Sequence, residues 1–202
     1  MAPLRIAVFA SGNGTNFAAM VRRMREGKLD VSIELLVCDK ASAPVIGRAQ
    51  EAGIDTFVFR SKDYPSREDH DQAIAEELRK RGVELIVLAG YMRIITNVLV
   101  EPYYGRMINV HPSLLPSFPG VNAIQQALDH GVKVTGVSVH YVDGGLDSGP
   151  IIAQQAVEIE AGDTESTLAQ RIHATEQQLL PGVIQAIAHG KVRLNVRKVE
   201  FH

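Results

Sequence analysis

The chain alternates short apolar runs with segments of helical periodicity, and this alternation restricts its possible folds more than any other feature. An apolar run at residues 4–10 ends in a glycine-rich turn, and a helical pattern follows over about 15–27. A second strand is predicted at 31–38, a helix at 43–52 and a short strand at 56–59. Strands that alternate with helices in this way form parallel sheets.

The apolar run at 85–89 is the strongest strand signal in the chain, because an unbroken apolar run is typical of a parallel strand covered on both faces. A helix is predicted before it, beginning after Ser66, with Asp69 three residues on and with Ile74 and Leu78 facing inward. His70 on this helix has charged neighbours in the sequence, so we expect it to be exposed.

The second half of the chain continues the pattern with three strands and two helices. The strand at 134–142 alternates, which places Ser138 and His140 on a polar face, and Pro181 predicts a kink in the last helix. We predict one α/β domain over residues 1–202, a single doubly wound, Rossmann-like domain with a mostly parallel sheet and late antiparallel strands. The five elements of this half are predicted at 107–110, 122–130, 134–142, 151–159 and 164–189.

The net charge and the length of the apolar stretches indicate which kinds of partner the protein can bind. The 202 residues carry a formal net charge of -2 and one cysteine, Cys38, which lies in a buried strand pattern. Such a chain has no general attraction for nucleic acid or for an anionic membrane. No apolar stretch approaches the ~20 residues of a membrane span. We therefore expect a cytoplasmic protein that binds small molecules, without nucleic-acid or membrane partners.

The segment 109–116, Asn-Val-His-Pro-Ser-Leu-Leu-Pro, carries the clearest chemical signal. Asn109 and His111 share a face if the backbone is extended, and Pro112 bars a helix. An amide and an imidazole that converge on one point suit the oxyanion of an acyl transfer, and Asp147 would keep the imidazole oriented and charged. The alternative is a surface turn in which these side chains only satisfy local backbone groups.

The turn Ser-Gly-Asn-Gly-Thr-Asn at 11–16 joins the first strand to the first helix, where free N–H groups and the helix dipole attract a phosphate. It matches the dinucleotide fingerprint only in part, because Phe17 stands at the position of the third glycine. Asp39, after the second strand, could mimic the acid that binds an NAD ribose. The pattern favours a phosphate monoester over a dinucleotide or a plain turn.

Other segments are less specific. Residues 91–95, Tyr-Met-Arg-Ile-Ile, directly follow the central strand, where a ligand ring could lie against the backbone, or where an ordinary loop could have apolar anchors. The run from Gly136 through Ser138 to His140 lacks the last glycine of a nucleophile elbow, so a serine hydrolase is not expected. The seven histidines show no metal-binding spacing, and no metal site is expected.

Together these segments resemble the family of phosphoribosylglycinamide formyltransferases, the folate-dependent enzymes of purine synthesis. The resemblance extends over nearly the whole chain, because the motifs occur in the family's order and spacing. These motifs are SGNGTN, LAGYMRI, INVHPSLLPSFPG, GVSVHYVDGGLDSGP and AGDTESTL.

The resemblance implies transfer of a formyl group from the co-substrate 10-formyltetrahydrofolate to the amine of glycinamide ribonucleotide, without a metal. It implies that Asn109, His111 and Asp147 are the catalytic residues. A monomer and a homodimer are both compatible with it. The nucleotide residues it implies are Gly14, Thr15, Asn16 and Glu176, and the folate residues are Arg67, Met92, Arg93, Ile94, Ile95 and Asn109.

Two positions depart from the family pattern. Asn122 stands where members often carry histidine, and Ser117 stands where many carry lysine, so both bear on the nucleotide contacts. Methionyl-tRNA formyltransferase and formyltetrahydrofolate hydrolase share the Asn, His and Asp arrangement but have an additional domain, which we expect to be absent here. A noncatalytic nucleotide-binding domain is the alternative from another class.

Overall fold

A computed structural model describes residues 2–202. The strands are Leu4–Phe9 (β1), Val31–Cys38 (β2), Thr56–Val58 (β3), Leu85–Leu88 (β4), Met107–His111 (β5), Val134–Tyr141 (β6), Ile151–Glu158 (β7), Val192–Asn195 (β8) and Lys198–Phe201 (β9). The helices are Thr15–Arg25 (α1), Pro44–Ala52 (α2), Arg67–Lys80 (α3), Asn97–Val100 (α4), Ala123–Asp129 (α5) and Glu165–Ala188 (α6).

Seven strands form one sheet in the order β3-β2-β1-β4-β5-β6-β7, and β8 and β9 form a separate hairpin. The predicted fold class, an α/β fold with a mostly parallel sheet and late antiparallel strands, is confirmed. Among the described helices, none combines the length and apolar character needed to cross a bilayer. The chain divides into two compact units, one up to Ile108 and one from Asn109 to His202.

In the first unit, β1 pairs in parallel with both β2 and β4. Val8 lies opposite Leu36 on one side and Val87 on the other, and all three are fully buried. Burial of each such aliphatic side chain contributes about 1.5–3 kcal/mol. Because the strands are parallel, the segments that follow β1 and β4 leave the sheet at the same edge.

Helix α3 begins as the sequence predicts, but one of its residues does not lie where we expected. Ser66 caps the helix, since its Oγ accepts the N–H of Asp69 at 3.1 Å. The prediction that His70 is exposed is wrong: only 1% of the residue is exposed, and its ring centroid lies 4.9 Å from that of Phe59. His70 precedes Ile74 by one helical turn and therefore shares its inward face.

The second unit contains the antiparallel pair β6 and β7, in which Ser138 lies opposite Gln154. The register shifts between Val139 and His140, and such irregularities redirect side chains next to sites. Helix α6 packs against both strands. It begins with a capping box formed by Thr164 and Thr167.

The last helix lies where it is predicted, and one further element follows it. Helix α6 runs without a break through Pro181 to Ala188. The hairpin of β8 and β9, which we did not predict, pairs Val192 with Phe201. It packs against β7 and therefore belongs to the second unit.

Candidate active site

Strand β5 supplies two of the three predicted catalytic side chains. Asn109 and His111 are two residues apart on this extended strand and so point to the same side, as predicted. His111 is 5% exposed, whereas Asn109 is partly buried. Pro112 follows immediately, and the chain leaves the sheet there.

Asp147 lies in the loop between β6 and β7 and contacts both residues. Its Oδ1 lies 3.5 Å from Asn109 Nδ2, and its Oδ2 lies 3.4 Å from His111 Nδ1. The N–H of Gly120 donates to Oδ2 at 2.8 Å. Asp147 adopts a left-handed backbone conformation, φ 50°, which costs a residue other than glycine of order 1–3 kcal/mol and is typical of functional sites.

The surroundings of Asp147 favour its charged form. Burial of the carboxyl opposes ionisation, but the His140 side chain, the Gly120 N–H and the charges of His111 and His140 outweigh it and lower the pKa of Asp147. The carboxylate is therefore negative at neutral pH.

Both ring nitrogens of His111 face oxygen atoms that can only accept. Nε2 lies 2.8 Å from the carbonyl oxygen of Phe118, and Nδ1 faces Asp147. Nε2 therefore donates to the Phe118 carbonyl, and Nδ1 lies at ion-pair distance from the carboxylate.

His140 lies beside the three residues, as expected for the polar face of its strand. Its Nδ1 donates to the carbonyl of Tyr141 at 2.8 Å. Its Nε2 lies 3.2 Å from Asn109 Nδ2 and 3.7 Å from Asp147 Oδ1. A neutral His140 ring accepts the Asn109 amide, and a charged ring faces the carboxylate.

In the first unit, the segment 11–16 forms the predicted turn between β1 and α1. Gly14 has φ 69° and caps α1, and no side chain caps the N–H groups of the first turn. A Cβ at Gly14 would lie 2.3 Å from Cγ2 of Val45, so close packing as well as backbone conformation requires glycine. Arg48 Nε donates to the carbonyl of Asn13 at 2.7 Å and fixes the turn.

The dinucleotide alternative does not fit this turn. Phe17 is fully buried in the core where the fingerprint needs its third glycine. Asp39, the candidate for a ribose-binding acid, is 4% exposed, and its Oδ2 accepts from Arg93 Nε at 2.7 Å. This acid therefore binds a side chain of the protein.

The segment 91–95 follows β4 and is tied to the turn after β1. The N–H of Met92 donates to Ser11 Oγ at 2.9 Å, and Ser11 N donates to Gly90 O at 3.0 Å. Met92 and Ile94 are 68% and 69% exposed, unusually high for large apolar side chains. The segment thus presents apolar surface next to the turn.

The remaining predicted ligand residues lie apart in the chain. Arg67 is exposed at the start of α3 in the first unit. Glu176 is 6% exposed and lies on α6 in the second unit. Among residues 2–202, no group of three His, Cys, Asp or Glu side chains is arranged to hold a metal ion.

Sequence analysis missed three residues that shape the second unit's site. Phe118 has φ 53°, and its carbonyl accepts a hydrogen bond from the His111 ring. Arg197 Nη2 donates to the carbonyl of Ser148 beside Asp147 at 2.8 Å. Gln154 contacts the segment after His111. The contacts of Arg197 and Gln154 join residues distant in sequence, and that of Phe118 depends on the path of the loop after β5, so no local pattern predicts them.

A partly buried amide and a buried imidazole thus lie around one carboxylate in the second unit. Residues 4–184 match the family described as formyl transferase. The chain therefore belongs to the formyl transferase family.

Two relatives of this chain are named phosphoribosylglycinamide formyltransferase. The protein of that name from Bacillus subtilis (strain 168) is 54% identical over 183 residues, which cover 91% of this chain and 94% of the relative. The one from Escherichia coli (strain K12) is 36% identical, over 95% and 91% of the two chains. The crystal structure of glycinamide ribonucleotide transformylase 1 from Symbiobacterium toebii superposes with a TM-score of 0.96 at 42% identity, covering 99% of this chain and 94% of that one.

Proposed function

We propose that this protein transfers the formyl group of 10-formyltetrahydrofolate to the amine of 5-phosphoribosylglycinamide in de novo purine (IMP) biosynthesis. The products are N-formylglycinamide ribonucleotide and tetrahydrofolate. The proposal is supported by the family membership and by 54% identity to a phosphoribosylglycinamide formyltransferase over most of both chains.

One structural observation carries the proposal. The Asn109 amide and the His111 ring both lie within 3.5 Å of the single carboxylate of Asp147. Such a group suits a reaction in which negative charge develops on one oxygen and a proton moves nearby. No serine or cysteine nucleophile is needed, because the substrate amine is itself the nucleophile.

The reaction follows from these positions. The amine attacks the formyl carbon, a C–N bond forms, and the formyl oxygen becomes an oxyanion that the Asn109 amide and the His111 imidazolium stabilise. The amine then loses a proton, N10 of the folate gains one, and the bond between N10 and the formyl carbon breaks. Asp147 keeps His111 charged and helps to order a water for the proton transfer.

The nucleotide phosphate is proposed to bind at the start of α1. Gly14, Thr15 and Asn16 begin this 11-residue helix, and its first-turn N–H groups have no side-chain cap and no acidic residue beside them. These groups and the helix dipole favour a phosphate. Glu176 is proposed to contact the ribose, since a carboxylate accepts hydrogen bonds from hydroxyl groups.

The folate is proposed to bind at the segment after β4. Met92, Ile94 and Ile95 offer apolar contacts to a flat ring, and Arg93 is held in place by Asp39. The exposed guanidinium of Arg67 suits the carboxylates of the folate's glutamate. Asn109 is proposed to contact the folate as well as the oxyanion.

The same proposal covers partners and location. We propose two small-molecule substrates, no nucleic-acid or membrane partner, a cytoplasmic location and a monomer or homodimer. The whole chain, residues 1–202, is proposed to act as one formyltransferase domain.

A panel of acceptors tests the function. Formyl release from 10-formyltetrahydrofolate is measured with the nucleotide, with water alone and with charged methionyl-tRNA. We expect rapid release only with the nucleotide. Rapid release in water would indicate a hydrolase, and a formylated tRNA would indicate a tRNA formyltransferase. Binding of the nucleotide without any release would indicate a noncatalytic domain.

A further inference from the structure

Gln154 lies on the edge strand β7 and is exposed, yet it contacts the segment that follows the catalytic strand. Its Nε2 donates to the carbonyl of Leu115 at 2.9 Å and to Ser138 Oγ at 2.8 Å. We infer that Gln154 is a positioning residue that sets the orientation of His111 through the backbone of 113–118. The inference rests on the proposed function.

Ser138 is the first link between Gln154 and the site. It is fully buried and lies directly opposite Gln154 across the β6 and β7 pair. Its Oγ donates to Ser113 O at 2.7 Å and accepts the N–H of Leu115 at 3.0 Å as well as the amide of Gln154. A hydroxyl has one proton and two lone pairs, so these three bonds use its full capacity.

The segment itself is the second link. Ser113 Oγ donates to the carbonyl of Ser117 at 2.5 Å, and the next carbonyl, that of Phe118, lies 2.8 Å from His111 Nε2. Phe118 holds its left-handed conformation because its surroundings fix it. The direction of the His111 ring therefore depends on bonds that fix the backbone at Ser113 and Leu115.

The loss of the Gln154 amide affects this network more than the packing of the protein. An exposed side chain leaves no buried cavity when it is shortened or changed. Its loss would leave the Leu115 carbonyl and one lone pair of Ser138 Oγ without their donor, and the backbone of 113–118 would become more mobile. We expect the His111 ring to be less precisely oriented, while the surfaces proposed to bind the two substrates stay unchanged.

The neighbouring residue Gln155 offers a matched control. It lies on the same strand and is exposed, and its Nε2 donates to the carbonyl of Ala156 at 3.4 Å and not to Leu115 or Ser138. Methionine has nearly the length of glutamine but no N–H donor. Gln154→Met and Gln155→Met therefore make the same chemical change with and without the contacts to Leu115 and Ser138.

Kinetics and NMR together test the inference. For Gln154→Met we expect kcat to fall about tenfold, as for the loss of one or two net hydrogen bonds. KM for both substrates should stay within about twofold, and Gln155→Met should behave like the wild type. The ring nitrogen signals of His111 should shift in Gln154→Met only. Gln154→Lys, which restores a donor, should recover part of kcat.

Three results would overturn the inference. They are a wild-type kcat with unshifted His111 signals in Gln154→Met, a rise in KM with unchanged kcat, and equal losses in the two methionine variants. The NMR comparison needs no substrate, so it tests the contacts even if the wild type shows no transfer to the nucleotide. A wild type that transfers no formyl group to the nucleotide would contradict the proposed function and not the positioning of His111.

Discussion

Replacing Asp147 by asparagine removes one negative charge from the site while keeping the size of the side chain. Oδ2 lies 3.4 Å from His111 Nδ1, and both side chains are largely buried, 13% and 6% exposed. Coulomb's law gives about 5 kcal/mol for this pair at an effective dielectric constant of about 20, before any desolvation cost. We therefore expect kcat to fall by roughly 10²–10³, the range seen when one oxyanion donor is removed.

The assay separates the chemical step from binding. Steady-state kinetics of formyl transfer give kcat and KM, and titration calorimetry gives the nucleotide Kd. The charge acts in the transition state, so kcat should fall while the nucleotide Kd stays within about twofold. A kcat within twofold of the wild type, in a variant that folds normally, would refute the role of Asp147.

Three further outcomes are expected. His111→Ala should lower kcat by roughly 10²–10³ and leave nucleotide binding largely intact, as steady-state kinetics and calorimetry will show; wild-type turnover would remove His111 from the mechanism. Gly14→Val should weaken nucleotide binding more than folate binding, because the valine side chain would collide with Val45 and the left-handed backbone of this turn is strained for a β-branched residue. Equal weakening of both ligands would indicate a general folding defect. The folded-state pKa of Asp147 lies below its ordinary 3.8, so its ionisation stabilises the protein above that value and the effect is lost as pH falls through the folded pKa. The difference in unfolding free energy between the wild type and Asp147→Asn, from urea unfolding, should shrink as pH falls below about 3.8; a difference that grew there would contradict the direction of the pKa shift.

Sequence patterns were sufficient where the constraint is local. The unbroken apolar run that became β4 and the Ser66 cap of α3 depend on neighbours within a few residues. The predicted exposure of His70 is wrong because its helical spacing to Ile74, and not the charge of its sequence neighbours, decides its burial. The hairpin of β8 and β9 has a clear alternation, but Val196 at its turn gives no glycine or asparagine-glycine signal.

The candidate site also combines features that follow from local sequence with features that depend on the tertiary fold. The pairing of Asn109 with His111 follows from strand periodicity, and the motif resemblance selects Asp147. The contacts of His111 with Phe118, and of Gln154 with Leu115, join residues brought together by the tertiary fold. Asp147 is of a residue type that is enriched in the left-handed conformation, whereas Phe118 is not, so the sequence gives no sign of the backbone conformation at Phe118.

The fate of an isotopically labelled formyl group tests the central claim most directly. The protein is mixed with 10-formyltetrahydrofolate carrying ¹³C in the formyl group and with 5-phosphoribosylglycinamide, and the products are separated and examined by mass spectrometry. The proposed function predicts that the label is recovered on the amine of the nucleotide, in amounts equal to the tetrahydrofolate formed. Recovery of the label as free formate, at a rate unaffected by the nucleotide, would contradict it.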